Sequence, residues 1–191
     1  MFQRVGHYFK RECHQQDIDR GIIPFPFGLF DRHLKDPSPK DIDIFCSFGH
    51  TKTGLRKQVI EACQKLQKER PDKKIVIGAG FDRSKFSDMM NRSLIVVDAW
   101  GGGDCCDRFW EALGARACCL YQRYNIMMPK PPCDWIEAVS FADIKEFEKS
   151  ANLLLDHPDL SLEIGQRGRD FAQKFHSSRA RADEIMQRIT E

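Results

Sequence analysis

No stretch of this 191-residue chain stays apolar for the roughly 18 residues that a membrane-crossing helix needs, so no spanning helix is expected. Met1-Phe2-Gln3-Arg4 leads into no apolar block of the signal-peptide kind. Together these two absences predict a cytoplasmic protein. An excess of one charge is missing too: 30 basic residues face 28 acidic ones, a balance that calls for neither nucleic acid nor an anionic membrane as partner. No C-x-x-C pair occurs and no paired histidine spacing completes a zinc site, so no metal is expected. Neither G-x-G-x-x-G nor G-x-x-x-x-G-K-[ST] is present, and there is no internal repeat or low-complexity tract.

What the chain does hold is 41% hydrophobic residues, enough at this length to bury one substantial core. Eight cysteines are many for a reducing compartment. Cys46, Cys63, Cys118 and Cys119 sit in apolar patterns and read as small core residues. Cys105 and Cys106 fall at a predicted helix start, where a lowered thiol pKa is expected. No histidine lies near them in sequence to act as a base, so a catalytic thiol is not expected.

Residues 1–40 read as a lead-in and residues 41–191 as the folded domain. Within the lead-in, residues 7–12 fit the close of a short helix, and Pro24-Phe25-Pro26-Phe27-Gly28 must be extended. From Asp41 the pattern becomes regular. Ile42-Asp43-Ile44-Phe45-Cys46 predicts a strand, Val59, Cys63 and Leu66 a helix to about Glu69, and Ile75-Val76-Ile77 a second strand. A short helix near residues 84–90 precedes Leu94-Ile95-Val96-Val97-Asp98. Residues 117–121 and 135–141 predict two further strands. Asp143 with Glu146 predicts a capping box at the start of the first of three amphipathic helices. The last helix turns Ala182, Ile185 and Ile189 inward. Alternation of strands and helices predicts an α/β fold, a Rossmann-like parallel sheet with helices on both faces.

In such sheets ligands bind beyond the carboxyl ends of the strands, here the loops holding Gly49 and Gly101-Gly102-Gly103. Glycines admit an anionic ligand to the backbone N–H groups, and the following helix start offers unpaired donors. Glu111, about two turns and roughly 10 Å into a helix begun near Asp104, could reach a sugar hydroxyl while phosphates sit at the helix end. The plainer alternatives stay open. Asp104 and Asp107 suit helix caps, and Arg108 suits a surface ion pair with Asp104. Arg56 suits a solvated first turn, and Glu111 an exposed helix carboxylate. His50 and His176 read as ordinary structural residues.

The order of local motifs resembles the C-terminal, donor-binding half of GT-B glycosyltransferases, in the group 1-like families related to spore-coat maturation. The pieces that carry the likeness are Tyr8-Phe9-Lys10-Arg11-Glu12, Pro24-Phe25-Pro26-Phe27-Gly28, Asp41-Ile42-Asp43-Ile44-Phe45 with Arg56, Arg108-Phe109-Trp110-Glu111-Ala112-Leu113, Glu137-Ala138-Val139-Ser140-Phe141, Gly165, Gly168-Arg169 and Phe175-His176. They span nearly the whole chain. The resemblance implies a nucleotide-diphosphate-sugar donor as substrate, with no separate cofactor, and transfer of retaining type. Residues 1–40 would join two halves, and residues 41–191 would bind the donor. Glu111 would match the second glutamate of the family's E-x-x-x-x-x-x-x-E motif, on the nucleotide ribose. The first glutamate would fall at Gly103, a departure beside which Asp104 is the substitute on offer. Arg116 stands where the family has glycine, so a different local backbone is expected there.

For the departing diphosphate the candidates are the Gly101–Gly103 backbone with Arg56, Lys52 or Arg108. Arg56 and Asp104 are the expected catalytic residues, and Gly49, Lys52, Gly101, Gly102, Gly103, Arg108 and Glu111 the expected donor-binding ones. An acceptor-binding N-terminal domain or a second subunit would complete the cleft. A non-catalytic nucleotide-sugar-binding or subunit-interaction module is the competing expectation. A nucleotide-sugar epimerase half is a third, with no distinctive residues.

Overall fold

Five apolar runs of the sequence lie side by side as one all-parallel sheet in the computed structural model, which describes residues 6–49, 54–101 and 103–190. Before that sheet, β1 (Phe9–Lys10), α1 (Gln15–Ile18) and β2 (Ile23–Pro24) form a small ribbon, followed by a 3-10 turn at Asp31–His33. The main elements are β3 (Ile42–Ser47), α2 (Gly54–Glu69), β4 (Ile75–Gly78), α3 (Arg83–Asn91), β5 (Ser93–Asp98), α4 (Asp107–Gly114) and β6 (Cys118–Gln122). After them come β7 (Val139–Phe141), α5 (Ile144–Asp156), α6 (Pro158–His176) and α7 (Ser178–Thr190). The strand order is β4-β3-β5-β6-β7. The chain therefore steps outward from β3 to β4, then crosses back to place β5 on the other side of β3. That reversal opens a crevice between the carboxyl ends of β3 and β5.

Both faces of the sheet are buried, which is why its strands are apolar without alternation. One layer joins α2 and α5 to Ile44, Cys46, Ile95, Val97, Cys118 and Leu120. The opposite layer joins α3 and α4 to Phe45, Val96, Cys119 and Tyr121, around Phe109 and Trp110. Adjacent residues of a strand point to opposite faces, so the Cys118-Cys119 pair contributes one thiol to each layer. All eight cysteines are free, and Cys46, Cys63, Cys118 and Cys119 are fully buried as expected.

Four local expectations are corrected. Residues 7–12 hold a strand rather than the end of a helix, because Ile23 and Phe25 donate their N–H groups to the carbonyls of Tyr8 and Lys10. The strand expected over residues 135–141 starts only at Val139. Trp135 takes φ +60° in a tight loop whose N–H returns to Ala138 O. Asp143 caps α5 by accepting from Lys145 N and Glu146 N, but Glu146 reaches Ala142 N, one residue earlier than a capping box requires. Finally, α7 rests on α6 rather than on the sheet and turns Met186 and Ile189 outward. Its buried residue is Arg181, which donates to Pro26 O and lies over the Phe25 ring.

Arg116 also differs from expectation, and in the conservative direction. It adopts φ +55°, the left-handed conformation for which glycine is usual. Arg116 N bonds Leu113 O and Ala117 N bonds Ala112 O, closing α4 in the ordinary helix-terminating pattern. The carbonyls left over at helix ends are taken by cations: Lys40 donates to Asn91 O and Ala115 O, and Arg169 to Gly114 O.

Helix α6 crosses the edge between the two layers and touches backbone directly. A Cβ at Gly165 would stand 2.5 Å from Arg116 O, and one at Gly168 would strike Glu137 O. Gly165→Ala is therefore expected to destabilise the fold by about 1–3 kcal/mol through overpacking, read as a lower midpoint in urea unfolding. An unchanged midpoint would show that α6 is free to shift. His176, at the end of α6, is buried against Trp110 and Phe171, and its Nε2 lies 2.9 Å from Lys130 O. Burial pushes its pKa down to about 4, with Arg181 and Lys130 adding to the push and the Lys130 carbonyl opposing it. The neutral ring's stabilisation is present above the unfolded value near 6.5 and is lost as pH falls toward 4. Unfolding midpoints measured from pH 7 to 4 should fall, and should fall less steeply in His176→Gln.

Candidate functional site

At the carboxyl ends of β3 and β5 the chain places two guanidinium groups on one ring. Phe48, just beyond β3, is buried, and the guanidinium carbons of Arg56 and Arg108 lie 5.0 and 5.1 Å from its centroid. Arg56 comes from the first turn of α2 and Arg108 from the first turn of α4. Arg56 donates Nε and Nη2 to Ala99 O at 3.1 and 2.8 Å. Arg108 donates Nη1 to Asp98 Oδ1 at 3.2 Å. Burial and the neighbouring Arg108 charge both lower the Arg56 pKa.

Asp98 ends β5 and is 1% exposed. It also accepts from Tyr124 Oη and from the Cys106 thiol, each at 3.3 Å. Burial raises its pKa, and Arg108 acts against that rise. Arg108 thus pairs with Asp98 while Arg56 bonds the Ala99 carbonyl, and two cationic groups share this end of the sheet. The expected surface pair between Arg108 and Asp104 does not form; the buried Asp98 holds Arg108 instead.

The glycine loop closes over this group. A Cβ at Gly101 would stand 2.5 Å from Arg56 Nη2, so a side chain there would push the guanidinium from its present place. A Cβ at Gly103 would meet Glu12 Oε1 at 2.8 Å. Gly49 is exposed at the end of β3. Lys52, His50 and Gly102 lie outside the described residues.

Neither aspartate caps α4. Cys106 is the N-cap and the helix begins at Asp107, which pairs with Arg32 at 3.4 Å. Asp104 stays in the loop, where its N–H donates to Glu12 Oε2 and its Oδ2 accepts from Asn125 N. The later helix start also moves Glu111 to one turn from the N-terminus, about 6 Å along the axis rather than 10. Glu111 is not the exposed carboxylate of the plainer alternative, since its side chain is 17% exposed and burial raises its pKa. It lines a cavity of about 350 Å³ with Arg32, His33, Arg83 and Phe86, and accepts from Arg83 Nη2 at 3.1 Å.

The thiols at the loop are raised, not lowered. Burial, and the Asp98 carboxylate next, push Cys106 up to about 12 and Cys105 further still. The structure adds Asp98, Glu12, His33 and Arg83 to the residues singled out from sequence. Asp98 had a visible signal, a carboxylate closing an otherwise apolar run. The other three come close only through the fold.

A family model described as glycosyl transferase-like matches residues 50–187. The chain belongs to the glycosyl transferase-like family. Among solved structures this glycosyl transferase-like chain is similar to S. aureus TarM, at 12% identity and TM-score 0.65, over 87% of this chain and 39% of that one. It is similar to Anabaena HepE, solved in complex with UDP, at 9% identity and TM-score 0.64, over 90% and 58% of the two chains. It is also similar to the C-terminal domain of the group 1 family glycosyl transferase LpcC from Francisella tularensis, at 17% identity and TM-score 0.56, over 87% and 94%. At these identities the likeness shows the fold: a Rossmann-like α/β sheet, as in the C-terminal domains of GT-B glycosyltransferases. The chain spans 39% of the length of TarM and 58% of HepE. No curated protein matches the sequence. Among the described residues no helix is long and apolar enough to cross a membrane.

Titration of the native glycosyl transferase-like chain with a thiol reagent at pH 8 should show one fast cysteine, the exposed Cys133, with the half-buried Cys106 slow because its thiol stays protonated and the six buried ones released only on unfolding. A second fast thiol mapping to Cys105 or Cys106 would mean that the loop opens readily.

Proposed function

We propose that this chain binds a nucleotide-diphosphate-sugar donor in the crevice between β3 and β5 and serves as the donor-binding part of a glycosyltransferase. The observation that carries the proposal is the pair Arg56 and Arg108 on the Phe48 ring, Arg108 paired with Asp98 and Arg56 bonded to Ala99 O, beside the glycine loop and the Glu111 cavity. Glycosyl transfer builds negative charge on the departing diphosphate. A preset positive site at helix starts can stabilise that charge, more strongly where water is excluded.

In this proposal Arg56, Lys52 and the backbone of Gly49 and of Gly101, Gly102 and Gly103 receive the diphosphate. Arg108, tied to Asp98, supplies charge rather than a free fork of donors. Glu111 takes the ribose hydroxyls and Asp104 is the carboxylate nearest the transferred sugar. HepE and a TarM variant were each solved with UDP, which supports a nucleotide ligand. The longer relatives support an acceptor site made by an N-terminal domain or a second subunit, with residues 1–40 as the joining segment and residues 41–191 as the donor domain. The setting would be cytoplasmic. A non-catalytic nucleotide-sugar-binding or subunit-interaction module is the second candidate, and Gly103 at the motif's first glutamate position favours it.

Calorimetric titration with UDP, GDP, ADP and CDP tests the site. One nucleotide should bind saturably and weaken by about 1–3 kcal/mol in Glu111→Ala, the loss expected for hydrogen bonds to a charged group. Arg56→Ala should weaken nucleoside diphosphates more than the matching nucleoside. A folded chain that binds none of the four would remove the donor-site proposal. Release of sugar from the bound donor would then separate enzyme from binding module.

A further inference from the structure

His33 ends the 3-10 turn and its side chain is 1% exposed, behind Glu111 on the wall of the 350 Å³ cavity. The Phe30 N–H donates to His33 Nδ1 at 3.3 Å. A ring that accepts at Nδ1 while neutral carries its proton on Nε2. The ring is kept neutral: burial, with Arg32, Arg83 and Lys35 nearby and only Asp107 opposing, lowers its pKa to about 4. Yet Nε2 is buried without a hydrogen-bond partner among the described residues. Its nearest carboxylate oxygen is Glu111 Oε1, 4.0 Å away, just beyond bonding distance. That same oxygen is held by Arg83, a side chain 71% exposed at the start of α3.

His33 cannot close the gap itself. Its backbone carbonyl is wedged against Gly114, where a Cβ would collide with it, and its ring meets Phe30 edge-on at 5.3 Å. Glu111 is the movable partner, since Arg83 is largely in solvent and exposed ion pairs are weakly held. A buried donor left unmade is costly, so a bond gained there favours whatever state forms it.

We propose that His33 is a positioning residue for the ligand site: when vicinal hydroxyls of a pentose engage Glu111, the carboxylate leaves Arg83 and seats on the Nε2–H of His33. This rests on the donor-site proposal, in which Glu111 receives the ribose. The released Arg83 guanidinium is then free at the mouth of the cavity, above a ligand that carries negative charge. Glu111 is thereby fixed from behind by a neutral donor, which orients it without neutralising it.

The test uses the full chain and whichever of UDP, GDP, ADP and CDP binds it, together with the 2′,3′-dideoxy form of that nucleotide. His33→Phe should weaken the ribonucleotide about tenfold and the dideoxy form little. His33→Gln, which can present an amide N–H near the position of Nε2, should restore most of the loss. In the unaltered protein the His33 Nε2–H proton and nitrogen resonances should move to hydrogen-bonded values on adding the ribonucleotide. Equal weakening of both nucleotides by His33→Phe, or an Nε2–H resonance that stays put in a saturated complex, would overturn the role of His33 while leaving the donor site standing. Absence of binding by all four nucleotides would overturn both.

Discussion

The carboxylate of Asp98 sits where a parallel sheet buried on both faces can least accommodate a charge. It closes the central strand β5 at 1% exposure, and an unpaired ion there would cost several kcal/mol. Arg108 meets that demand from the first turn of α4, and Tyr124 and the Cys106 thiol take part of the remaining hydrogen-bonding capacity. The position of α4 against β5 is thus tied to an ion pair, and through α4 so are the glycine loop before it and Glu111 one turn along. Arg56 completes the arrangement on the same Phe48 ring, donating to the carbonyl of Ala99, the residue after Asp98. Two helices and two strands converge on this short stretch of backbone.

A half-buried cation pair is tolerable because each guanidinium has a fixed partner and an aromatic face, and Phe48 supplies that face to both. Both guanidinium groups are already held by hydrogen bonds, so neither has to be ordered when an anion arrives. Preorganisation of this kind lowers the cost of binding. The glycine loop has the complementary task of staying thin, since a side chain at Gly101 would occupy the place of Arg56 Nη2.

Much of the α/β frame was legible because its signals are local. Apolar runs such as Leu94-Ile95-Val96-Val97 mark strands buried on both faces, and Val59, Cys63 and Leu66 mark one side of a helix. The reversal of strand order put Gly49 and Gly101 on one edge, as alternation of elements implied. The site's inner contacts were not legible. Asp98 and Arg108 are ten residues apart, and helix spacing pointed Arg108 at Asp104 instead. His33 and Glu12 belong to a segment whose composition suggested a mere lead-in, and their carbonyl and carboxylate contacts with Gly114 and Gly103 are set by folding alone. The misplaced start of α4 had a similar cause: Asp104 and Asp107 both suited a cap, and Cys106 between them took the position. The outward face of α7 shows the limit of periodicity, which marks an apolar stripe but not what covers it.

Arg181 joins Pro26 across 155 residues of chain. During synthesis the ring-rich segment around Phe25 emerges early, with the Pro26 carbonyl lacking this partner until α7 follows. Leu29 waits in the same way for the carbonyl of His176. The sheet can assemble strand by strand as it leaves the ribosome, but the seam that joins Pro26 and Leu29 to α6 and α7 closes only after both helices have followed it.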